Sequence, residues 1–283
     1  MEESLKFSVL MPVYFKENPE YFDTALESIV NQTLMPNEII IVKDGPLTPE
    51  LDSVIEKYVS EYPDLFNTVA LEKNVGLGEA LRIGVLNCNN EIIARMDSDD
   101  ICHGERFEKQ IKFLTENPNI DLVGSWISEF ENNPEEIISY RQLPTEHKEI
   151  YKFGQFRCPV NHMTVVYKKE AVIRAGNYQT FKNIEDYYLW GRMLKQGSVF
   201  ANIPECLVNV RAGQAMFKRR ANLTYFFNSE FPLHTELYRM RFINLKQYMR
   251  NISSKFLLRV LPTKLMGLVY KKFLRKVAVN GYF

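Results

Sequence analysis

Residues 91–100 read Glu-Ile-Ile-Ala-Arg-Met-Asp-Ser-Asp-Asp, a short apolar run that stops on three carboxylates within four positions. Apolar side chains at successive rather than alternate positions are the pattern of a strand covered on both faces. Three earlier stretches have the same form: Phe7–Met11, ended by Pro12; Glu38–Val42, running into Asp44-Gly45; and Thr68–Leu71. Between them, segments near 19–32, 48–61 and 76–88 carry helical apolar spacing. Strand, helix, strand, helix at these intervals predicts an α/β fold with a mainly parallel sheet flanked by helices. Pro12-Val13-Tyr14, Lys43-Asp44 and Asp97-Ser98-Asp99 then fall at carboxyl ends of strands, the edge where open α/β sheets bind ligands.

Further along, apolar runs at 121–127, 163–167 and 199–210 and a helical pattern over Ile184–Lys195 continue the domain less regularly. From about 216 the chain reads as helical and basic. No acidic residue follows Glu236, whereas Arg239, Arg241, Lys246, Arg250, Lys255, Arg259, Lys264, Lys271, Lys272, Arg275 and Lys276 do. The whole chain of 283 residues has a formal net charge of +0, which removes the global case for nucleic-acid binding, so the basic tail calls for a local anionic partner. Cys88, Cys102, Cys158 and Cys206 form no CxxC pair, which argues against a zinc site or a disulfide framework and for a reducing compartment. Met1–Lys6 carries Glu2 and Glu3 and does not read as a signal peptide, and no run reaches the ~18 apolar residues of a spanning helix.

Asp97, Asp99 and Asp100 repel one another unless something positive joins them. Mg²⁺ or Mn²⁺, which takes carboxylate oxygens together with substrate phosphates, would resolve the conflict, with Asp97 and Asp99 as ligands. The plainer alternative is a solvated acidic turn capping a helix near Gly104.

Four segments, in order, resemble the family 2 glycosyltransferases of capsule, O-antigen and exopolysaccharide synthesis: Phe7–Tyr14, Glu38–Gly45, Lys73–Arg82 and Ala94–Asp100. The likeness continues to Glu185–Trp190 and weakens after about 215. It implies a GT-A, Rossmann-like fold over 1–215, with a nucleotide-binding half (1–100) and an acceptor half (101–215), and a helical basic extension over 216–283. It also implies an inverting transfer from a UDP-sugar. Pro12, Val13 and Tyr14 would line the nucleotide pocket, Asp44 would accept from the base, and Asn74, Gly76 and Arg82 would lie beside the nucleotide and ribose. Asp97 and Ser98 join this donor set, Asp99 holds the metal, and Asp186 takes the proton from the acceptor hydroxyl. Glu185, His162, Trp190 and Arg211 are candidates for contact with acceptor, sugar or diphosphate. Each has a plainer reading: a helix-dipole carboxylate, a core histidine, a core tryptophan and a surface arginine.

Processive relatives carry QxxRW followed by spanning helices. Neither occurs here, which favours addition of one sugar. Lys255–Lys276 mixes leucines and phenylalanines with lysines and arginines around Pro262, as an interfacial helix pair does, although Lys272 and Lys276 fall near its apolar side. A peripheral location on the inner face of the cell membrane, with a lipid-linked saccharide as acceptor, follows as the expectation. The competing reading is a catalytically silent sugar-nucleotide-binding or scaffold protein. A nucleotidyltransferase would need a glycine-rich loop after the first strand, and Pro12–Glu17 is not one.

Overall fold

The computed structural model describes residues 5–212, 222–261 and 276–277. Strands β1 (Phe7–Val13), β2 (Glu38–Lys43), β3 (Phe66–Ala70) and β4 (Ile92–Arg95) alternate with helices α1 (Pro19–Val30), α2 (Pro49–Glu61) and α3 (Leu77–Asn87). All pairings among these strands are parallel, in the order β3-β2-β1-β4. The order reverses at β1, so the crevice outside the carboxyl ends of β1 and β4 is the topological switch point. Both faces of these strands are covered. Val9, Met11, Val13, Ile39 and Ile41 pack into one core with α1 and α2, whereas Leu10, Ile40, Val42 and Ile93 pack into another with α3. This double burial is why the runs are apolar at every position rather than every second one.

Local chemistry starts the helices where the spacing placed them. Asn18 accepts from the amides of Glu20 and Tyr21 with Pro19 at the first position of α1, and Thr48 caps α2 with Pro49 in the same role. In α1, Phe22, Ala25, Leu26 and Ile29 fall on one buried stripe. Leu26→Ala would cost ~2–5 kcal/mol through the cavity it leaves.

The second half is mixed. After the short β5 (Ile101–Cys102) and α4 (Arg106–Glu116) come β6 (Leu122–Phe130), β7 (Ile137–Arg141), α5 (His147–Gly154), β8 (Val166–Lys168), α6 (Lys169–Arg174), α7 (Glu185–Lys195) and β9 (Phe200–Arg211). Here β8 joins β4 antiparallel and β6 joins β9 in parallel, extending the sheet beyond the parallel core. Two helical turns over Leu223–Glu230 lead to α8 (Phe231–Arg239) and α9 (Leu245–Val260). Leu233, Leu237 and Phe242 of this segment enter the same core as Trp190 and Ile150. The two-residue β10 (Lys276–Val277) pairs with β7. Lys264, Lys271, Lys272 and Arg275 of the basic tail lie outside the described residues.

Candidate active site

β1 and β4 deliver their ends side by side. The amide of Met96 donates to the carbonyl of Leu10 at 3.1 Å, which prolongs the parallel pairing to the threshold of the acidic turn. Arg106, fully buried, donates to the carbonyl of Arg95 at 2.7 Å and so fixes the last residue of β4 from below. Beyond that point the backbone turns, and carboxylate oxygens of Asp97, Asp99 and Asp100 come within 4.8 Å of one another.

Ser98 donates to Glu17 at 2.5 Å, bringing a fourth carboxylate from the loop after β1. Burial, then Asp97, then Glu17 push the carboxyl of Asp99 up to about 7. Asp100 is raised well above the usual carboxylate range by burial, then by Asp99 and Asp97. Its Oδ1 accepts from the amide of Arg211 at 3.0 Å, while its buried Oδ2 accepts nothing among the described residues. A counter-charge is Arg95, whose side chain is 1% exposed and pairs with Asp97, while its Nε and Nη1 find no acceptor among the described residues. Among the described residues, crowded hard oxygens, an unused buried lone pair and one guanidinium among four acids are a donor set that fits a divalent cation.

Asp44, only 5% exposed, accepts from the amides of Val75 (2.7 Å) and Gly76 (3.1 Å) and from Asn74 Nδ2 (3.0 Å). It therefore clamps the end of β2 to the loop that opens α3. Gly45 is required for this approach: its φ is +87°, and a Cβ there would stand 2.6 Å from the amide nitrogen of Asn74.

Across the crevice, α7 begins with Glu185 and Asp186. A Cβ on Gly78 of α3 would lie 3.3 Å from Glu185 Cβ, so the two helix starts touch. Burial, then Asp186, push the carboxyl of Glu185 up to about 7, and Arg95 and Asp97 act on it too, which places the acidic turn within electrostatic reach of α7. Half-buried Asp186 has the thiol of Cys158 at 3.6 Å from its Oδ2. Asp44, Asn74, Gly76, Asp97, Ser98, Asp99, Glu185 and Asp186 thus gather at one rim of the sheet.

Other candidates change role. Pro12 and Val13 are buried inside β1, leaving Tyr14, 42% exposed, as the ring at the mouth. Trp190 has no exposed surface and cannot stack on a sugar; it packs edge-on against His162 and Tyr178. His162 belongs to the same buried box, its Nε2 2.9 Å from Tyr178 Oη. Burial and Arg95 hold its pKa well below the usual histidine range, so it is a neutral core residue rather than an acceptor contact. The guanidinium of Arg211 lies over the rings of Tyr21 and Phe130, and its backbone amide is what meets the acidic turn. Arg82 is held by Glu79 through two bonds of 2.8 and 2.6 Å. Arg259 of the basic tail is buried against Glu230, so it does not face a headgroup.

Glu17 and Arg95 were not picked out as site residues from sequence. Both left a trace: Glu17 follows the end of β1 by four residues, at the ligand edge, and Arg95 is a charge inside an apolar strand, where a partner is required.

Residues 8–178 match the family described as Glycosyl transferase family 2. The chain belongs to this family. A Haemophilus influenzae protein named only as an uncharacterized glycosyltransferase is 42% identical over 96% of this chain and 100% of its own length. The Escherichia coli "UDP-Gal:alpha-D-GlcNAc-diphosphoundecaprenol beta-1,3-galactosyltransferase" is 37% identical over 97% of this chain and 98% of its own. Among solved structures, a Pyrobaculum calidifontis mannosyltransferase in complex with GDP-Man and Mn²⁺ superposes with a TM-score of 0.61. It has 15% identity over 96% of this chain and 82% of the other. Staphylococcus aureus TarS gives 0.60 at 18% identity, over 95% of this chain and 46% of the other. The glycosyltransferase therefore has the GT-A fold, and its acidic turn sits at the switch point of that fold.

Proposed function

We propose that this glycosyltransferase moves one hexose, galactose or glucose, from a UDP-sugar to a lipid-linked saccharide, with inversion, in the assembly of a bacterial surface polysaccharide at the inner face of the membrane. The observation that carries the reading is the cluster of carboxylates in the 97–100 turn at the end of β4, close enough to the start of α7 for Arg95 and Asp97 to act on Glu185. The printed name of the Escherichia coli relative supports the donor and the acceptor class.

The residues divide the work. Asp97 and Asp99, with Asp100 behind them, would hold Mg²⁺ or Mn²⁺, which when bound would supply positive charge against a departing diphosphate. Arg95 and the Ser98–Glu17 bond keep the turn in one geometry. Asp44 holds the 74–76 loop beside the nucleotide pocket, and its Oδ1, with a single bond, is the acceptor offered to the N3–H of uracil. Asp186, half-buried at the start of α7, takes the proton from the attacking hydroxyl, and the buried Glu185 beside it is pushed up to about 7. The bond from the anomeric carbon to the diphosphate oxygen breaks on the opposite face, and UDP leaves.

Transfer from labelled UDP-galactose and UDP-glucose to a GlcNAc-diphospho-lipid tests the reading. Asp186→Asn should lower turnover ~10²–10⁴-fold with UDP affinity intact. Retained turnover would refute the base, and absence of UDP release from every donor with every acceptor would leave the silent scaffold as the better reading.

A further inference from the structure

Helix α9 is built inside out. Its buried positions are Asn251 and Arg259. Asn251 Nδ2 donates to the carbonyl of Gln155 at 2.8 Å, Gln247 donates to Gln155 Oε1 at 2.7 Å, and Arg259 holds Glu230 at 2.9 and 2.8 Å. The inner face is thus a ladder of polar bonds. The outer face carries the apolar side chains: Leu245 (58% exposed), Met249 (55%), Phe256 (42%), Leu257 (62%) and Val260 (47%). Positions 245, 249, 256 and 260 form one helical stripe. The stripe continues onto the preceding turns, where Phe226 has ring centroids 5.5 Å from Phe256 and 5.1 Å from Phe227, itself 56% exposed. Large apolar side chains facing water over such a length are the mark of an interaction surface rather than of scattered surface residues.

Charge decides what covers it. Lys246 is exposed beside the stripe, Arg250 is exposed with its guanidinium over Phe156 and bonded to Asn251 Oδ1, and α9 holds no acidic residue. A second copy meeting this face through a two-fold axis would bring cations to cations with no carboxylate on the helix to receive them. A bilayer surface with anionic headgroups satisfies both features at once, apolar side chains in the acyl boundary and cations among phosphates. We propose that the outer face of α9, with Phe227, is a docking surface for anionic membrane. This extends the membrane contact read from the composition of Lys255–Lys276 towards the amino end of a helix anchored on the catalytic domain. It deepens the reading of a lipid-linked acceptor by giving that acceptor's membrane a definite seat, yet its observations are independent of the chemistry.

Co-sedimentation of the full chain with vesicles of phosphatidylglycerol and phosphatidylethanolamine, and with phosphatidylcholine vesicles, tests it. The wild type should bind the anionic vesicles, less so in high salt. Leu245→Ser, Met249→Ser and Leu257→Ser together should weaken binding at least ~10-fold with an unchanged melting temperature, since these side chains touch little of the fold. Lys246→Gln with Arg250→Gln should weaken it ~25-fold, at about 5-fold per cation. Wild-type protein that ignores anionic vesicles, or a triple serine variant that binds like wild type, would overturn the proposal. So would a wild-type dimer that the triple variant turns into a monomer. Vesicle binding without sugar transfer to any acceptor would overturn the functional reading and leave this surface standing.

Discussion

The two ends of the parallel sheet each carry buried acid, and they treat it in opposite ways. At the amino end Glu38, 5% exposed, accepts from Ser8 Oγ (2.5 Å), Asn67 Nδ2 (3.2 Å), the amide of Asn89 (2.9 Å) and the Asn89 side chain. All its partners are neutral donors. At the carboxyl end, Asp97, Asp99, Asp100 and Glu17 crowd one another around Arg95, and an oxygen of Asp100 has no partner among the described residues. A carboxylate that closes its own hydrogen bonds serves the fold. Carboxylates that leave them open are poised for something that arrives later, and their mutual repulsion is tolerated because the rest of the sheet holds the turn in place.

The contrast breaks most visibly by mutation at the two ends. Asp99→Ala should lower transfer by at least ~10³-fold, about 4 kcal/mol of transition-state stabilisation, while leaving stability unchanged or slightly raised because a like charge is gone. EDTA should mimic that loss in the wild type, with Mn²⁺ or Mg²⁺ restoring it; full activity without either cation would end the metal reading. Glu38→Ala should do the reverse. Stranding its buried donors costs about 3 kcal/mol, measured as a lower midpoint in urea, with turnover per folded molecule near wild type.

A smaller effect sharpens the same distinction for a buried base. His234, 1% exposed, is held down to about 3 by burial, then by Lys255 and Arg250, against an ordinary value of 6.5. Its ring contacts are Asn251 and Tyr187. Between pH 6.5 and 3 the unfolded chain binds a proton there that the folded one refuses, so the stability it contributes is present above 6.5 and lost as pH falls. His234→Gln should flatten the pH dependence of unfolding between pH 6 and 4 by ~1.4 kcal/mol per pH unit relative to wild type. An unchanged slope would show that the ring titrates normally. Smallest of all is Arg82→Ala, which removes a surface pair with Glu79 worth no more than ~0.5 kcal/mol. An unchanged KM for donor is expected if Glu79 keeps that guanidinium occupied, whereas a several-fold rise would assign Arg82 to the ribose.

How much was legible follows from where the information lies. Asp97, Asp99 and Asp186 stood out because each sits in a contiguous stretch whose spacing also predicts the strand or helix that carries it. Glu17 meets Ser98 across 81 residues and Arg211 meets Asp100 across 111, and nothing local in the chain announces either meeting. Trp190 stood open between ligand contact and core for a related reason. A ring on a helix next to a proposed base has the same local pattern whether it faces a crevice or a core, and only the packing of α7 against Tyr178 and Phe200 put Trp190 inside. The basic C-terminal segment shows the limit from the other side: its composition suggested a membrane partner, and only the structure shows that Arg259 turns inward to Glu230 while Leu245 and Leu257 turn outward.

By itself the sequence determined the alternation of strands and helices in the first hundred residues, the family, and the acidic turn at the end of β4. Those features are written in periodicities of two and 3.6 residues and in motifs a few residues long. Only the tertiary structure decided which acids face each other, which rings are core and which face of α9 meets solvent. Burial is a property of what packs from elsewhere in the chain, and no local pattern records it.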